Sequence, residues 1–469
     1  MNALQLNASD FRTLAARITE LAADYLVDLG DLPTFPEVSG EASWRALEQA
    51  LPEKGMGPAA LDALTRVLHL SRPPSPRFFG YVLGSGEPVA ALADLVASIL
   101  NQNVTAWRSA PAAVTLERQM IEALATALGC HGYHGSFCSG GSMANLMALA
   151  MAREAHLPAN AAGARSGLVY ASSEVHMSIP KSMALLGLGR EQLRLIPIDE
   201  RFRMSLPHLR EAIAADRAAG RVPLAVVASA GSVNTGSIDP LPEIASLCRE
   251  QGVWMHIDGA YGALAALAVP ERFAGLQAAD SLSLDPHKWL YQPIDCGVLL
   301  FKDPQPARLA FSYTGDYAKP LAEDPLEAFA FFEESLELSR RFRALKLWLS
   351  LRYHGLDAFR RAIHADLHHA QLLAHQVGAS PRLELVAPVA LSAVCFRYAA
   401  GEAAPQSDRL NAAILKRVIE RGRVYLSNAT LGQRFVLRAC FVNHRTTEAD
   451  VGQIVPEVLA AADEVIALR

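Results

Sequence analysis

A lysine, Lys288, stands at a point of the sequence where an amine can do chemistry. It follows a short strand-like run, residues 281–284, that ends abruptly at Asp285 and Pro286. The carboxyl ends of such strands are where open parallel sheets bind ligands. Partial burial there would disfavour the charged ammonium and leave a neutral amine able to condense with an aldehyde. A lone lysine is more often an ordinary exposed loop residue, so a chemical role for Lys288 depends on which residues lie near it in the fold.

Three more polar residues each come directly after a predicted strand: His176, Ser232 and Asp258. The carboxyl ends of parallel strands share one edge of a sheet, so these side chains should converge with Lys288 although they are far apart in sequence. A single histidine after a strand is usually structural. Several such residues with complementary chemistry indicate a site.

A glycine-containing segment, residues 139–145, reads Ser-Gly-Gly-Ser-Met-Ala-Asn and precedes a helical run, residues 146–155. Glycines that expose backbone amides at a helix N-terminus, together with the hydroxyl of Ser142, form an anion site that needs no lysine. The alternative is an ordinary glycine turn with a serine cap.

These segments together resemble the pyridoxal-phosphate-dependent group II amino-acid decarboxylases, the aromatic-amino-acid and glutamate decarboxylase group, and its bacterial members in particular. Pro-His-Lys-Trp around Lys288 and His-Ile-Asp-Gly-Ala-Tyr around Asp258 carry the resemblance. It implies that the cofactor is pyridoxal 5'-phosphate (PLP), held by Lys288 as an internal aldimine, and that Asp258 pairs with the pyridine nitrogen. A ring kept cationic in this way is an electron sink that stabilises a carbanion at the substrate α-carbon.

The resemblance assigns further residues to the cofactor. His176 would stack on the ring and could hydrogen-bond the carboxylate end of a substrate. Asp285 stands where eukaryotic members often carry asparagine; because an acid would repel phosphate, we expect it to cap the loop instead. The other implied cofactor residues are Gly141 and Ser142 at the phosphate, Ser232 and Asn234 around the ring hydroxyl, and also Ala260 and His287.

Tyr317, in Thr-Gly-Asp-Tyr-Ala-Lys, matches a mobile-loop tyrosine of the resembled family. That tyrosine looks like the acid that returns a proton to the α-carbon after carbon dioxide leaves, whereas phenylalanine there is associated with aldehyde-forming relatives. Tyrosine therefore favours an amine product. A tyrosine in a surface loop is also often a simple amphipathic contact.

Four residues are predicted to face the substrate: Leu83, Asn103, Thr105 and Arg438. Leu83 stands where aromatic-specific members have proline, and Asn103 and Thr105 stand where those members have larger apolar side chains. Arg438 resembles an arginine that approaches the substrate in glutamate decarboxylases, where a guanidinium could bind a carboxylate bidentately, or it pairs within the small domain. The substrate pocket is thus expected to be more polar than in the aromatic-specific members.

The predicted function is decarboxylation of an aromatic or other bulky L-amino acid to its amine and carbon dioxide. An acidic or aliphatic substrate stays open, as does a PLP-dependent aldehyde synthase or aminotransferase. A cofactor-binding regulator without turnover would need an appended DNA-binding module, and the first seventy residues lack the basic character for one.

The elements that must position these residues follow from the apolar pattern. Alternating strands and helices indicate an α/β fold with a mainly parallel sheet covered on both faces, followed by a smaller C-terminal α+β part. The resemblance implies the aspartate-aminotransferase-like architecture called fold type I. The predicted strands are residues 168–171, 193–198, 224–228, 253–257, 281–284 and 298–301 in the large part, and 383–386, 393–397 and 434–441 in the small part.

We predict three regions: an N-terminal helical arm for dimerisation, residues 1–72; a large PLP-binding domain, 73–345; and a small C-terminal domain, 346–469. The first helix, residues 9–29, has an apolar stripe that must be covered. In the resembled family this arm wraps the partner of a homodimer, with the sites near the interface. Packing on its own domain is equally compatible with the stripe.

The composition of the chain indicates which classes of binding partner and which cellular compartment to expect. The 469-residue chain is 51% hydrophobic with a net charge of −5, which gives a sizeable core and no electrostatic footprint for nucleic acid or a membrane surface. Six cysteines without paired spacing favour a reducing compartment, and neither a signal peptide nor a membrane span is expected, so we predict a cytoplasmic protein. No metal is expected, because His364 and His368 lie among charges typical of a solvated helix face.

Overall fold

The computed structural model of the protein describes residues 4–313, 324–399, 401 and 404–468, without the side chain of residue 404. Three N-terminal helices begin it: α1 (Ala8–Asp28), α2 (Gly40–Leu47) and α3 (Asp62–Leu70). Asn7 caps α1 by accepting from the backbone N–H of Asp10, and Ser39 caps α2 in the same way. No residue of α1 is fully buried, and Leu14, Leu21 and Tyr25 are half-buried, so its apolar stripe is only partly covered within the chain.

A seven-stranded sheet forms the centre of the large part, in the order β1-β7-β6-β5-β4-β2-β3. The five strands from β2 to β6 are parallel, and β7 runs antiparallel to both of its neighbours, β1 and β6. The strands are β1 (His134–Cys138), β2 (Leu168–Ser172), β3 (Leu193–Ile196), β4 (Pro223–Ser229), β5 (Trp254–Asp258), β6 (Ser281–Leu284) and β7 (Gly297–Phe301).

Helices cover both faces of this sheet. On one face α6 and α7 pack against residues such as Val169 and Val227, and on the other face α5, α8 and α9 pack against residues such as Met255 and Ile257. The helices of the large part are α4 (Pro88–Leu100), α5 (Pro111–Ala127), α6 (Gly141–His156), α7 (Ser178–Leu185), α8 (Leu206–Ala218), α9 (Leu241–Gln251), α10 (Pro286–Trp289) and α11 (Pro304–Phe311). Every residue of β4, β5, β6 and β7 is buried, which explains why the sequences of β4 and β7 are nearly continuous apolar runs.

A four-stranded antiparallel sheet, in the order β10-β11-β9-β8, forms the centre of the C-terminal part. Its core is shared with α13, α14 and α16. The elements are α12 (Ala344–His354), α13 (Leu356–Ala379), β8 (Leu383–Leu385), β9 (Ala393–Tyr398), α14 (Ala404–Arg421), β10 (Ser427–Leu431), β11 (Arg434–Cys440), α15 (Glu448–Val451) and α16 (Ile454–Ala467). The predicted fold, a mainly parallel sheet with helices on both faces and a smaller α+β part, is confirmed.

Contacts join the predicted large and C-terminal domains. The backbone N–H of Phe79 donates to the carbonyl of Tyr425 (2.8 Å), and the N–H of Cys440 donates to the carbonyl of Phe79 (2.9 Å). α12, on the C-terminal side of the boundary at residue 345, packs against α4 and α5. The division into three domains therefore stays a prediction.

Within the described residues, no helix has both the length and the apolar character needed to cross a membrane.

Candidate active site

One cavity of about 540 Å³ opens at the carboxyl ends of the parallel strands, a size typical of a small-molecule site. Lys288 and Asp258 both line it, so one ligand can reach both side chains. The predicted site residues that line this cavity are Leu83, Gly141, Ser142, His176, Ser232, Asn234, Asp258, Ala260, His287, Lys288 and Arg438.

The glycine turn that leads into α6 forms one end of the cavity. Gly140 has φ of 152°, a conformation that favours glycine, and a Cβ on Gly141 would lie 2.5 Å from the Cβ of Ala260. No side chain caps α6, and the N–H groups of Met143 and Ala144 bond back to the carbonyl of Gly140. The first amides of a 16-residue helix therefore face a space that only glycines leave open, which fits an anionic group such as a phosphate.

Lys288 lies on the short helix α10 and has an acidic partner. Its Nζ is 2.9 Å from Oδ2 of Asp285, and Nε2 of His287 is 3.4 Å from the same oxygen. The capping role predicted for Asp285 is wrong, because its side chain makes no hydrogen bond to the start of α10. The carboxylate of Asp285 instead forms an ion pair with the amine of Lys288, which lies one helical turn further along the chain. Oδ1 of Asp285 is buried and has no hydrogen-bond partner among the described residues.

Asp258 ends β5 and is only 8% exposed. Its Oδ2 accepts from Nδ2 of Asn145 (2.9 Å), and its Oδ1 accepts from the N–H of Ala260 and the hydroxyl of Ser283 (3.2 Å each). These donors fix the carboxylate in one orientation and leave part of its acceptor capacity directed to the cavity. A basic or protonated ring nitrogen of a ligand fits that position.

His176 lies between β2 and α7. Its Nδ1 accepts from the backbone N–H of Ser178 (3.2 Å) and is 2.8 Å from the Ser178 hydroxyl. Burial lowers the pKa of His176, and the nearby Lys288 adds to this, although Asp258 opposes it. The imidazole is therefore neutral near pH 7.

Ser232 and Asn234 lie on the loop after β4 and are held by neighbours. The Ser232 hydroxyl is 3.0 Å from that of Thr235 and 2.9 Å from that of Ser237. Nδ2 of Asn234 donates to Oε2 of Glu174 (2.8 Å), and burial raises the pKa of this glutamate. Both residues keep the predicted position at the cavity, but their polar atoms already have protein partners.

Arg438, on β11, makes three hydrogen bonds to backbone carbonyls. Nε donates to the carbonyl of Asn234 (2.9 Å), Nη1 to that of Tyr81 (2.9 Å) and Nη2 to that of Val233 (2.6 Å). The residue is 3% exposed. The predicted pairing within the small domain is wrong, because all three carbonyls belong to the large part. Arg438 ties the loop after β4 to the C-terminal sheet instead.

Two predicted substrate residues, Asn103 and Thr105, do not line the cavity within the described part of the chain. Oδ1 of Asn103 accepts from the N–H of Arg340 (2.8 Å), and the carbonyl of Thr105 accepts from the N–H of Phe332 (3.4 Å). Neither residue lines the cavity, so within one chain the predicted substrate contact is not found. The segment after α4 that carries them is anchored to the residues before α12 instead. Tyr317 lies outside the described residues.

Sequence reasoning missed Asn145 and His256, two buried polar residues that hold the functional side chains. Asn145 bonds both Asp258 and Ser178, and His256 bonds Asn145 through Nε2 (2.9 Å). A signal was present for His256: it lies two positions before Asp258 on the same strand, so both side chains must point to the same face of the sheet. Asn145 had no comparable signal, because its partners lie more than thirty positions away along the chain.

The geometry fits a flat aldehyde with an anionic end and a basic ring nitrogen. The helix amides at Gly141, the amine of Lys288 and the carboxylate of Asp258 lie around one cavity and would meet these three groups.

Comparison with known proteins also indicates a site for a pyridoxal cofactor. The family described as "Pyridoxal-dependent decarboxylase conserved domain" matches residues 62–399. The aromatic-L-amino-acid decarboxylase of Bacillus atrophaeus is 36% identical over 98% of this chain and 97% of its own length. The L-2,4-diaminobutyrate decarboxylase of Rhizobium meliloti (strain 1021) is 34% identical over 80% of this chain and 75% of its own length.

A solved structure extends the comparison to the fold. The crystal structure of Oryza sativa TDC with PLP and tryptamine matches with a TM-score of 0.91 at 28% sequence identity. The match covers 98% of this chain and 99% of the rice chain. The whole fold is thus shared with a protein crystallised with PLP.

Proposed function

This chain belongs to the pyridoxal-dependent decarboxylase family, and on that premise we propose that it converts an aromatic L-amino acid to its amine and carbon dioxide. The enzyme class, a PLP-dependent amino-acid decarboxylase, follows from the family and from the decarboxylases that match nearly the whole chain. The observation that carries the proposal is the single cavity at which Lys288, Asp258 and the glycine turn of α6 meet.

The residues that would hold the cofactor can be named from their positions. Lys288 supplies the amine for the aldehyde, Asp258 the counter-charge for the ring nitrogen, and the amides of Gly141 and Ser142 the donors for the phosphate. His176 provides a neutral ring for stacking. When bound, PLP supplies an electron sink for the charge that the departing carboxylate leaves behind.

The chain's own residues prepare the site for this chemistry. Asp258 is fixed by three donors before any ligand arrives, so little reorganisation is required. Asp285 is 2.9 Å from the amine of Lys288 and can hold or accept its proton. We propose that Tyr317 returns a proton to the α-carbon; the support for this is the sequence match alone.

An aromatic substrate is supported by the cavity wall and by the relatives. Apolar or aromatic residues contribute to the cavity wall, namely Tyr81, Val82, Leu83, Val233 and Ile294. The guanidinium of Arg438 bonds three backbone carbonyls, so it is not free to recognise an acidic side chain. The relatives include an aromatic-L-amino-acid decarboxylase, and the rice structure holds tryptamine.

A second candidate is an aliphatic diamino acid, which the similarity to the Rhizobium diaminobutyrate decarboxylase favours. Its distal ammonium would need an acid in the substrate pocket. Asp285 and Asp258 are the carboxylates that line the described part of the cavity, and both are bonded to other groups.

Purified enzyme supplied with PLP and single amino acids tests these alternatives. We expect amine from L-tryptophan, L-tyrosine or L-phenylalanine, and little from L-glutamate or L-2,4-diaminobutyrate, with Lys288→Ala as an inactive control. Aldehyde with hydrogen peroxide as the chief product, or turnover that depends on a keto acid, would overturn the decarboxylase assignment.

We also propose a cytoplasmic homodimer. Apolar residues of α4 at helical spacing, Leu92, Leu95, Val96 and Ile99, are exposed in one protomer, and α1 has no buried residue. A partner would cover both faces, and it could bring its copies of Asn103 and Thr105 to the cavity. The six cysteines are all free and buried, which fits a reducing compartment.

A further inference from the structure

A network of hydrogen bonds runs from His176, at the wall of the cavity, through Asn145, which also lines it, to the buried Trp254. It passes through Ser178, Asn145, His256 and Ser281, with Asp258 attached at Asn145. Each link is 2.8–2.9 Å between donor and acceptor atoms. Asn145, 1% exposed, is the junction at which the branches to His176, Asp258 and His256 meet.

The direction of these bonds follows from groups that have only one role. An ionised carboxylate can only accept, so the Asn145 atom beside Asp258 must be the nitrogen Nδ2. The oxygen Oδ1 then faces Nε2 of His256, which must carry the hydrogen. The orientation of the amide is thus set by Asp258 on one side and His256 on the other.

The hydrogen bonds at Trp254 and Ser281 independently place the hydrogen of His256 on Nε2. The indole N–H of Trp254 can only donate, so it gives its hydrogen to Oγ of Ser281 (2.9 Å). The Ser281 hydroxyl hydrogen is then available for Nδ1 of His256 (2.9 Å). Burial lowers the pKa of His256 to about 4, although Asp258 and the backbone of Ser281 oppose this, which agrees with a neutral ring.

The other branch fixes His176. Both hydrogens of the Asn145 amide are used, one by Asp258 and one by Oγ of Ser178 (2.9 Å). The Ser178 hydroxyl therefore donates to Nδ1 of His176, and the backbone N–H of Ser178 donates to the same atom. A neutral imidazole that accepts twice at Nδ1 must carry its hydrogen on Nε2.

We propose that Asn145 is a positioning residue that holds the carboxylate of Asp258 and, through Ser178, the tautomer of His176, with neutral His256 locking its amide. His176 then acts in the cavity as a hydrogen-bond donor through Nε2, never as a base in this state. The effect on turnover rests on the proposed function, whereas the hydrogen-bond directions do not.

Replacement of Asn145 tests the positioning role. Asn145→Leu keeps the side-chain size and removes both donors, so PLP should bind about tenfold to a hundredfold more weakly and kcat should fall by a similar factor, the scale typical of residues that orient a functional group from behind. The pH profile of kcat should also shift, because Asp258 and His176 lose a partner together.

Asn411→Leu is the matched control. Asn411 is also a fully buried asparagine with a satisfied amide, which bonds Tyr398 and Ser407 in the C-terminal part. This variant should lower the melting temperature and leave PLP affinity and the pH profile unchanged. If Asn145→Leu behaves like Asn411→Leu, the positioning role is excluded.

Asn145→Asp covers the case in which the leucine variant does not fold. It preserves the shape but places a second acceptor against Oδ2 of Asp258, so PLP affinity should fall at least as far as in the leucine variant. PLP binding as tight as in the unmodified protein would contradict the proposal.

Nitrogen NMR of the unmodified protein, labelled at histidine and without PLP, reads the tautomers directly. His176 and His256, assigned through their glutamine variants, should both show a protonated Nε2 and an unprotonated Nδ1 at pH 7. Hydrogen on Nδ1 of either ring, or a charged His256, would overturn the assigned directions. A protein that shows these tautomers but releases no carbon dioxide would refute the proposed function and leave the network intact.

Discussion

At the scale of single residues, the cavity offers mainly neutral hydrogen-bond donors to an anionic ligand. Burial lowers the pKa of both His176 and His287, so neither ring carries a charge near pH 7. Arg438 bonds backbone carbonyls, and the ammonium of Lys288 is paired with Asp285. Negative groups of a ligand must therefore rely on helix amides, hydroxyls and imidazole N–H groups, which act strongly in a site that excludes water.

Asp258→Asn tests the electrostatic role of the acid. The amide keeps the shape but cannot hold a proton on the ring nitrogen of the cofactor, so kcat should fall by about a hundredfold or more and PLP should bind more weakly. Steady-state kinetics and the absorbance of bound PLP measure the two effects. A variant with unchanged kcat would show that the charge on Asp258 is not used.

Two histidines predict how stability changes with pH. Burial lowers the pKa of His256 to about 4, against an ordinary value of 6.5, and partial desolvation lowers the pKa of the more exposed His444 in the same direction. Between pH 6.5 and 4 the unfolded chain binds a proton that the native His256 ring does not bind, so stability falls as the pH falls over this range, by up to roughly 3 kcal/mol for His256 and by less for the solvent-screened His444. Asp239, whose pKa burial raises to about 6, has the opposite slope.

Comparing the pH dependence of stability between the unmodified protein and a His444→Gln variant isolates the contribution of His444. His444→Gln cannot titrate, so its urea midpoint should fall less between pH 6.5 and 4 than that of the unmodified protein. Parallel pH profiles for the two proteins would mean that His444 titrates in the native state with an ordinary pKa.

At the scale of elements, the turn from β1 into α6 is built around contacts that exclude side chains. A Cβ on Gly297 would lie 2.3 Å from the Cα of Gly140, and one on Gly141 would lie 2.5 Å from the Cβ of Ala260. β7 and the turn therefore touch backbone to backbone, which brings the helix amides to the cavity.

Gly141→Ala should weaken PLP binding about tenfold, because the new methyl group must displace Ala260 or move the helix start. Gly378→Ala in α13, where a Cβ has open space, is the control and should be neutral or slightly stabilising. Fluorescence titration with PLP measures both. Equal affinities in the two variants would contradict an anion site at this turn.

Elements with a strong apolar signal could be predicted, and elements that depend on a partner strand could not. β4 and β7 are continuous apolar runs because both faces of the sheet are covered. β1 contains Gly135 and Ser136, and β10 contains Ser427 and Asn428, so neither sequence indicates a strand. Their conformation comes from pairing with β7 and β11.

The same distinction holds within the site. His176, Ser232, Asp258 and Lys288 were placed together because each follows a strand, a local signal. The role of Asn145 depends on partners brought in by folding, and the side chain of Asp285 pairs with Lys288 instead of capping its helix. Sequence spacing carries no information on such competition for hydrogen bonds.

At the scale of the whole molecule, the apolar faces of α1 and α4 require cover. Light scattering should give twice the mass of one chain. Ile99→Glu, in the exposed stripe of α4, should shift the protein toward monomer and lower kcat, because a partner would no longer bring Asn103 and Thr105 to the cavity. Leu309→Glu, at an exposed apolar position on α11, is the control. A fully active monomer would exclude a shared site.

The central claim, decarboxylation with proton return to the α-carbon, is tested most directly by product analysis after turnover of carboxyl-labelled L-tryptophan in heavy water. The account predicts that the labelled carbon leaves as carbon dioxide and that the amine carries one deuterium on the former α-carbon. A product that retains the labelled carboxylate, or an aldehyde in place of the amine, would contradict it.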